Sequence, residues 1–170
     1  MRIVRRLVVV SLLLVAGAVF AQDAAHPKSD GVAAPAKFME FPGLPSCLVG
    51  SVQNGDPMHG AAVILAKAKT GCVVPWHWHT ATEQLLFVSG TGTVEMKDAG
   101  KKTLAASGYV NMPAKHQHEF RCTSSCTFFL TTDAAFDIHY VDASGNEIPV
   151  EQALKPAAKP KGAATPAKKK

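Results

Sequence analysis

The stretch that decides the fold reads Gly71-Cys-Val-Val-Pro-Trp-His77-Trp-His79-Thr-Ala-Thr-Glu83-Gln-Leu-Leu-Phe-Val-Ser-Gly90. Its two histidines are two positions apart, so on a strand both imidazoles face the same side. The short segment after His79 can turn the chain, and Glu83 then returns a carboxylate at the start of the next strand. Imidazole with carboxylate suits zinc, iron, manganese, nickel or copper. The stretch therefore predicts a site for one divalent metal ion with His77, His79 and Glu83 as ligands.

A fourth ligand is expected from a second segment, Pro113-Ala-Lys-His116-Gln-His118-Glu-Phe120. It follows a strand-like run and begins with a proline, and the spacing Pro-x4-His favours His118. His116 comes from the same segment and is the alternative, since an imidazole beside a site can instead support the ligands from behind.

The chain around these segments consists of short strand-like runs separated by turn residues, with no convincing amphipathic helix. Many short strands at this spacing indicate an all-β sandwich or barrel. The pattern alone does not distinguish an immunoglobulin-type sandwich from a jelly roll. The predicted strands are Ser46–Val52, Ala61–Lys69, Val73–His79, Glu83–Ser89, Thr93–Lys97, Thr103–Ala106, Tyr109–Met112, His118–Cys122, Thr127–Thr132 and Phe136–Val141.

The two segments resemble the paired motifs of the cupin superfamily. The first fits the pattern G-x5-H-x-H-x3-E-x6-G at every position. The second departs from Pro-x-Gly-x-x-His, because Lys115 stands where glycine is usual and Ser107 occupies the expected place of a preceding glycine. The resemblance covers 46–141 and is strongest to small exported bacterial cupins. It implies a single-domain double-stranded β-helix, a jelly-roll barrel with the metal inside.

The chain begins with Met1-Arg2-Ile3-Val4-Arg5-Arg6, followed by an apolar or small run that ends at Ala21. This arrangement is typical of a secretory signal peptide over residues 1–21, and the run is short for a membrane span. Residues 22–37 are expected to form a disordered linker, 38–153 the cupin domain, and 154–170 a disordered Lys/Ala/Pro tail. The mature protein is expected in the periplasm or outside the cell, with no transmembrane span.

The net charge of +5 belongs to the ends of the chain. Residues 22–153 carry nine basic and thirteen acidic side chains, or about −4, while the tail has six lysines. The basic balance therefore does not indicate a nucleic-acid surface on the domain. The tail could contact anionic surfaces or simply add solubility.

All four cysteines lie in the predicted domain, and an even number in an exported protein favours disulfides. Cys122 and Cys126 flank a three-residue turn that can bring their Cβ atoms within bonding distance, so they are predicted to pair. Cys47 and Cys72 either form a second bond or stay buried and reduced.

Strand parity predicts the walls of the site. The side chains expected to face with the ligands are Val73, Pro75, Leu85, Phe87 and Phe120. No Arg or Lys clearly shares this face, so we expect a small, neutral or largely apolar ligand. The opposite parity contains Trp76, Trp78, Leu86 and Val88, which either pack against another layer or form an apolar patch that makes a homodimer.

Two functions fit these features. The first is a divalent-metal-dependent enzyme acting on a small neutral or aromatic molecule, with resemblance favouring a dioxygenase-like reaction over an isomerase-like one. In that case Glu83 is the ligand that could also shuttle a proton. The alternative is a non-catalytic cupin that binds or senses a metal or small ligand.

Overall fold

A computed structural model describes residues 35–155 of the chain. The predicted signal peptide, the linker up to residue 34 and the tail from residue 156 lie outside this part. No helix among the described residues is long and apolar enough to span a membrane. The elements are β1 (Leu48–Gly55), β2 (Ala62–Ala68), β3 (Val73–Trp78), β4 (Glu83–Ser89), β5 (Gly92–Met96), β6 (Gly100–Leu104), β7 (Tyr109–Met112), β8 (His118–Cys122), β9 (Cys126–Thr132), β10 (His139–Tyr140) and α1 (Val150–Ala153).

The ten strands form two antiparallel five-stranded sheets. One has the order β1-β2-β9-β4-β7 and the other the order β10-β3-β8-β5-β6. Consecutive strands such as β3 and β4, or β8 and β9, lie in different sheets, so the chain repeatedly crosses between the two layers. This arrangement confirms the predicted all-β jelly roll.

The hydrophobic core lies between the sheets and follows from the alternation of side chains along each strand. In β2 and β9 every second residue is buried. Phe87, Phe120 and Phe128 form an aromatic cluster, with ring centroids 5.1 to 6.2 Å apart. Tyr140 is 1% exposed, and its hydroxyl donates to the carbonyl of Gly43 at 2.8 Å.

The apolar side chains that point away from the ligands are only partly covered by other residues. Leu86 and Val88 are 46% and 49% exposed on the outer face of β4. Trp78 instead stacks on His139, with ring centroids 3.9 Å apart. The homodimer suggested by these apolar side chains stays a prediction.

The last predicted strand, Phe136–Val141, is shortened to His139–Tyr140. Residues 136 and 137 bond elsewhere: the Phe136 amide donates to the carbonyl of Pro57, and the Asp137 carboxylate accepts from Thr80. These contacts pull the segment out of the sheet. At the other boundary, Leu154, expected in the tail, packs against the core beside the one-turn helix α1.

Both disulfides are present. Cys122 and Cys126 pair across the turn between β8 and β9, with Cα atoms 6.0 Å apart, as predicted. Cys47 and Cys72 form the second bond, with a Cα separation of 5.6 Å. The first bond joins strands that belong to different sheets, and the second ties the chain before β1 to the turn before β3.

Two turns next to β7 have left-handed backbone. Ser107 has φ of 67° and Lys115 has φ of 63°, and they are the two non-glycine residues with positive φ in the described part of the chain. These are the positions where the second cupin motif usually has glycine. A residue with a Cβ costs roughly 1–2 kcal/mol in this conformation. The sequence departs from the motif while the backbone keeps the geometry for which glycine is suited.

Substituting glycine at either position should therefore stabilise the fold. Relief of the left-handed strain exceeds the roughly 0.5–1 kcal/mol that glycine costs through its freedom in the unfolded chain. We expect Lys115→Gly and Ser107→Gly each to raise the free energy of unfolding by about 0.5–1 kcal/mol, measured by denaturant titration. Lys102→Gly, in β6, is the control and should destabilise by a similar amount. Equal destabilisation in all three variants would contradict the strain argument.

Candidate metal centre

The four predicted ligands meet between the two sheets. His77 in β3 and His118 in β8 are direct register partners in one sheet. Glu83 starts β4 in the other sheet, and His79 lies in the turn that connects β3 to β4. Each of these side chains is between 1% and 6% exposed. The structure therefore brings together four buried polar groups that lie on separate elements.

Backbone carbonyls fix the orientation of all three imidazoles. The Nδ1 atom of His77 lies 2.6 Å from the carbonyl oxygen of Pro75, and that of His118 lies 2.8 Å from the carbonyl oxygen of His116. The Nδ1 atom of His79 contacts the carbonyl oxygen of Asp137. A carbonyl can only accept, so each Nδ1 carries the proton in the neutral ring. Each Nε2 is then left with a free lone pair, the arrangement typical of metal-binding histidines.

The Nε2 atoms converge on the Glu83 carboxylate. His118 Nε2 is 3.3 Å and His79 Nε2 is 3.4 Å from Glu83 Oε2. Neither Nε2 makes a hydrogen bond, although both are buried. Donor atoms that surround one ion at about 2.1 Å are ~3.0–3.4 Å apart. Since a buried polar atom without a partner is unfavourable, these residues fit a bound divalent ion.

The ligand atoms of His77, His79, Glu83 and His118 all lie within 4.8 Å of one another, so the group could bind one metal ion. The side chain of His116 is outside the group. Its carbonyl oxygen accepts a hydrogen bond from His118 Nδ1 instead, and the residue borders a shallow surface depression with Lys97 and Lys115. The fourth place in the group is thus filled by His118.

The charges of the metal-free group are strongly coupled. Burial and the neighbouring imidazoles lower the pKa of His77 well below its ordinary value. Burial also acts to lower the pKa of His79, but the Glu83 carboxylate outweighs it and raises that pKa. In turn, the imidazoles overcome the effect of burial on Glu83 and hold its pKa below the usual range. The Glu83 carboxylate thus favours the protonated form of His79 in the metal-free group.

An apolar pocket opens onto the ligands. Leu85 and Phe120 line it as predicted, but Phe87 lies in the core behind them, and Val74 takes the place predicted for Val73 and Pro75. The cause is a β-bulge: two residues, Pro75 and Trp76, lie between Val74 and His77 in β3, where β8 has one, Glu119. A bulge inserts one residue and reverses the parity beyond it. The complete lining is Leu44, Leu48, Val74, His77, His79, Glu83, Leu85, Phe120, Phe128, Leu130 and Phe136.

The sequence did not predict the residues that lie far from the ligands along the chain but close to them in the fold. Leu44 precedes the first strand and Phe136 follows β9, yet both line the pocket. The Phe136 ring lies 5.0 Å from that of His79, centroid to centroid. Asp137 supports His79 through its carbonyl group. The periodicity of one strand contains no signal for these contacts, which depend on how the loops fold back.

Solved structures share this arrangement of strands. An RmlC-like cupin from Shewanella frigidimarina matches with a TM-score of 0.54 at 17% identity, over 63% of this chain and 93% of its own. An RmlC-like cupin from Ralstonia eutropha matches with a TM-score of 0.54 at 22% identity, over 67% and 72%. The DMSP lyase DddQ from Ruegeria pomeroyi has a TM-score of 0.51 at 14% identity, over 68% and 61%.

No protein-family model matches this chain, and no curated protein matches it significantly. The structural similarity shows that the chain has the cupin fold, which confirms the resemblance in the two sequence motifs. It is a jelly roll whose interior contains a group of three histidines and a glutamate that could bind one metal ion.

Removing one ligand should abolish most metal binding. We expect His77→Ala to lower the metal content of purified protein well below half of one ion per chain, because one of the four proposed ligands is lost. His116→Ala is the matched control and should retain nearly full metal content, measured by elemental analysis. Full content in His77→Ala, or an equal loss in both variants, would contradict the assignment of the ligands.

Metal binding should also release a proton. At a pH below the raised pKa of His79 that ring is protonated, and the ion must displace its proton. Affinity should therefore fall as the pH falls, by about tenfold per unit for one proton, and level off above that pKa. Titration calorimetry in buffers of different ionisation enthalpy, between roughly pH 5 and pH 8, measures this. Metal binding without proton release at the acid end of this range would show that the ion does not displace a proton from His79.

Proposed function

We propose that this chain is an exported, divalent-metal-dependent enzyme that acts on a small neutral or aromatic molecule. The observation that carries the proposal is that three of the four candidate ligands, His77, His79 and Glu83, line an apolar pocket. A site that only stored metal would need no such opening. The proposed ligands are His77, His79, Glu83 and His118, and the ion is iron, manganese, nickel, copper or zinc.

The pocket supports a neutral substrate. Its polar lining consists of His77, His79 and Glu83, and its other described lining residues are aliphatic or phenylalanine. No Lys or Arg from the described part of the chain lines it to pair with an anion. The cavity beside the ligands has a volume of about 30 Å³, well below the roughly 300–1,000 Å³ typical of pockets that enclose a drug-sized ligand. These features favour a small neutral molecule, only part of which would be enclosed.

The protein would act mainly by coordination, shape and exclusion of water. When bound, the ion supplies Lewis acidity or, with a redox-active metal, oxygen chemistry. The wall formed by Leu85, Phe120 and Phe136 excludes water and so strengthens electrostatic interactions within the site. Glu83 can accept a proton, since it is the carboxylate in the pocket lining. We assign it the role of proton shuttle in addition to that of ligand.

A second candidate function is binding or sensing without turnover. One observation favours it: apart from the ligand set, the described pocket lining contains no general acid, base or nucleophile. A sensor would hold the metal or a small ligand tightly and alter its affinity for a partner. DddQ is named as a lyase, so at least one protein with this fold is an enzyme. That similarity concerns the fold and leaves the reaction of this chain to experiment.

Export is part of the proposal. The two disulfides fit an oxidising compartment, and the sequence begins with the features of a signal peptide over residues 1–21. We propose a periplasmic or secreted protein. A basic tail at 154–170 would then be available to contact anionic surfaces.

The enzyme hypothesis predicts turnover of a small neutral or aromatic substrate. Protein reconstituted separately with each candidate metal would be assayed for oxygen uptake and products on catechols, flavonols and small keto-enol compounds. We expect activity with at least one metal. 3,4-Dihydroxybenzoate should react about 100-fold less efficiently than catechol, because its carboxylate would be buried unpaired against the apolar wall. Glu83→Gln should keep part of the metal but lose nearly all activity.

No oxygen uptake and no product with any of the metals, together with tight and saturable binding of a ligand, would overturn the enzyme hypothesis in favour of the sensor. Equal efficiency with catechol and its carboxylated analogue would contradict the inference about the pocket. Undiminished activity in Glu83→Gln would remove Glu83 as the proton shuttle.

A further inference from the structure

The geometry of the metal centre depends on a turn that crosses between the sheets. His77 and His118 are held by their pairing in one sheet, and Glu83 is held by β4 in the other. Residues 80–82 connect the His79 ligand to the Glu83 ligand. Any drift of this turn would separate the two atoms that now lie 3.4 Å apart, His79 Nε2 and Glu83 Oε2.

Two carboxylates from one distant segment hold this turn. The amide of Thr80 donates to Asp137 Oδ1 at 2.8 Å, and the Thr80 hydroxyl also donates to the same carboxylate. The amide of Thr82 donates to Asp133 Oδ1 at 2.8 Å. Both aspartates belong to the connection between β9 and β10, residues 133–138. Hydrogen bonds from backbone amides to a carboxylate are charge-assisted and fix geometry well.

Asp137 acts on His79 from two directions. Its carbonyl oxygen accepts from His79 Nδ1, which sets the tautomer and the plane of the ring. Its carboxylate fixes the peptide that follows His79. The same connection places the Phe136 ring against His79. The 133–138 connection thus contacts the ligand, the peptide after it and the wall of the pocket.

We propose that Asp133 and Asp137 are positioning residues that hold the turn between His79 and Glu83 in the geometry needed for metal binding. Neither side chain belongs to the ligand group. Their effect on the ion passes through His79 and Glu83. Partners of this kind typically change metal affinity by about 10- to 100-fold when they are lost. The inference rests on the metal centre proposed above.

The protein offers a matched control. Asp142 also accepts from backbone amides in a surface turn, from Ser144 at 2.8 Å and from Asn146 at 3.0 Å. It is not hydrogen-bonded to the ligands or to the 80–82 turn. Asp142→Ala therefore removes a carboxylate that holds a similar turn, without disturbing the ligands. A purely structural role for Asp137 would make the two alanine variants alike.

The test is the affinity of the full-length protein for Zn²⁺ and Co²⁺, measured by chelator competition, with the visible spectrum of the Co²⁺ form. We expect Asp137→Ala and Asp133→Ala to bind about 10- to 100-fold more weakly than wild type and to alter the Co²⁺ bands. Asp142→Ala should keep wild-type affinity and spectrum. Asp137→Asn retains an oxygen for the Thr80 amide and should recover part of the loss.

A second variant covers the case in which Asp137→Ala does not fold. Thr80→Val removes the hydroxyl donor to Asp137 at an exposed position and should weaken binding roughly fivefold. Wild-type affinity and spectrum in Thr80→Val and Asp137→Asn, or losses equal to that of Asp142→Ala, would overturn the positioning role. Failure of the wild type to bind either metal would instead refute the metal centre itself.

Discussion

Four buried polar side chains meet inside an otherwise apolar jelly roll, and the rest of the site depends on how their charges and lone pairs are satisfied. The Nδ1–H groups of all three histidines donate hydrogen bonds to backbone carbonyl oxygens, which leaves the Nε2 lone pairs free. Two of those Nε2 atoms have no hydrogen-bond partner. A divalent ion would resolve this energetic problem, whereas a proton on His79 would serve only one of the two Nε2 atoms.

The same constraint relates the fold to the proposed chemistry. Because the ligands come from both sheets, the packing of the sheets and the turn from His79 to Glu83 set the distances between donor atoms. The surrounding wall is apolar, which leaves three of the ligands, His77, His79 and Glu83, as the polar lining of the pocket. A substrate would therefore be selected by size and polarity and oriented by the ion. These properties are shared by an enzyme for small neutral molecules and by a ligand sensor.

Much of this was accessible from the sequence because it depends on local spacing. The separation of His77 from His79 places two rings on one side of the chain, and the motif spacing identifies Glu83 and His118. The alternation of side chains along a strand predicted Val73 and Pro75 as pocket residues. This was wrong, because a β-bulge in β3 brings Val74 into the pocket instead. Phe136 and Asp137 were missed as parts of the site, since a segment predicted as strand leaves the sheet to bond with Pro57 and Thr80. Such long-range pairings leave no periodic signal.

We propose that one divalent ion binds between His77, His79, Glu83 and His118. The most direct measurement is anomalous diffraction across metal absorption edges, from crystals of protein purified from its own exported compartment. The account predicts one anomalous peak per chain, about 2.0–2.2 Å from three histidine Nε2 atoms and a Glu83 oxygen. A site without metal in protein that was never exposed to chelator, or a peak elsewhere in the molecule, would contradict it.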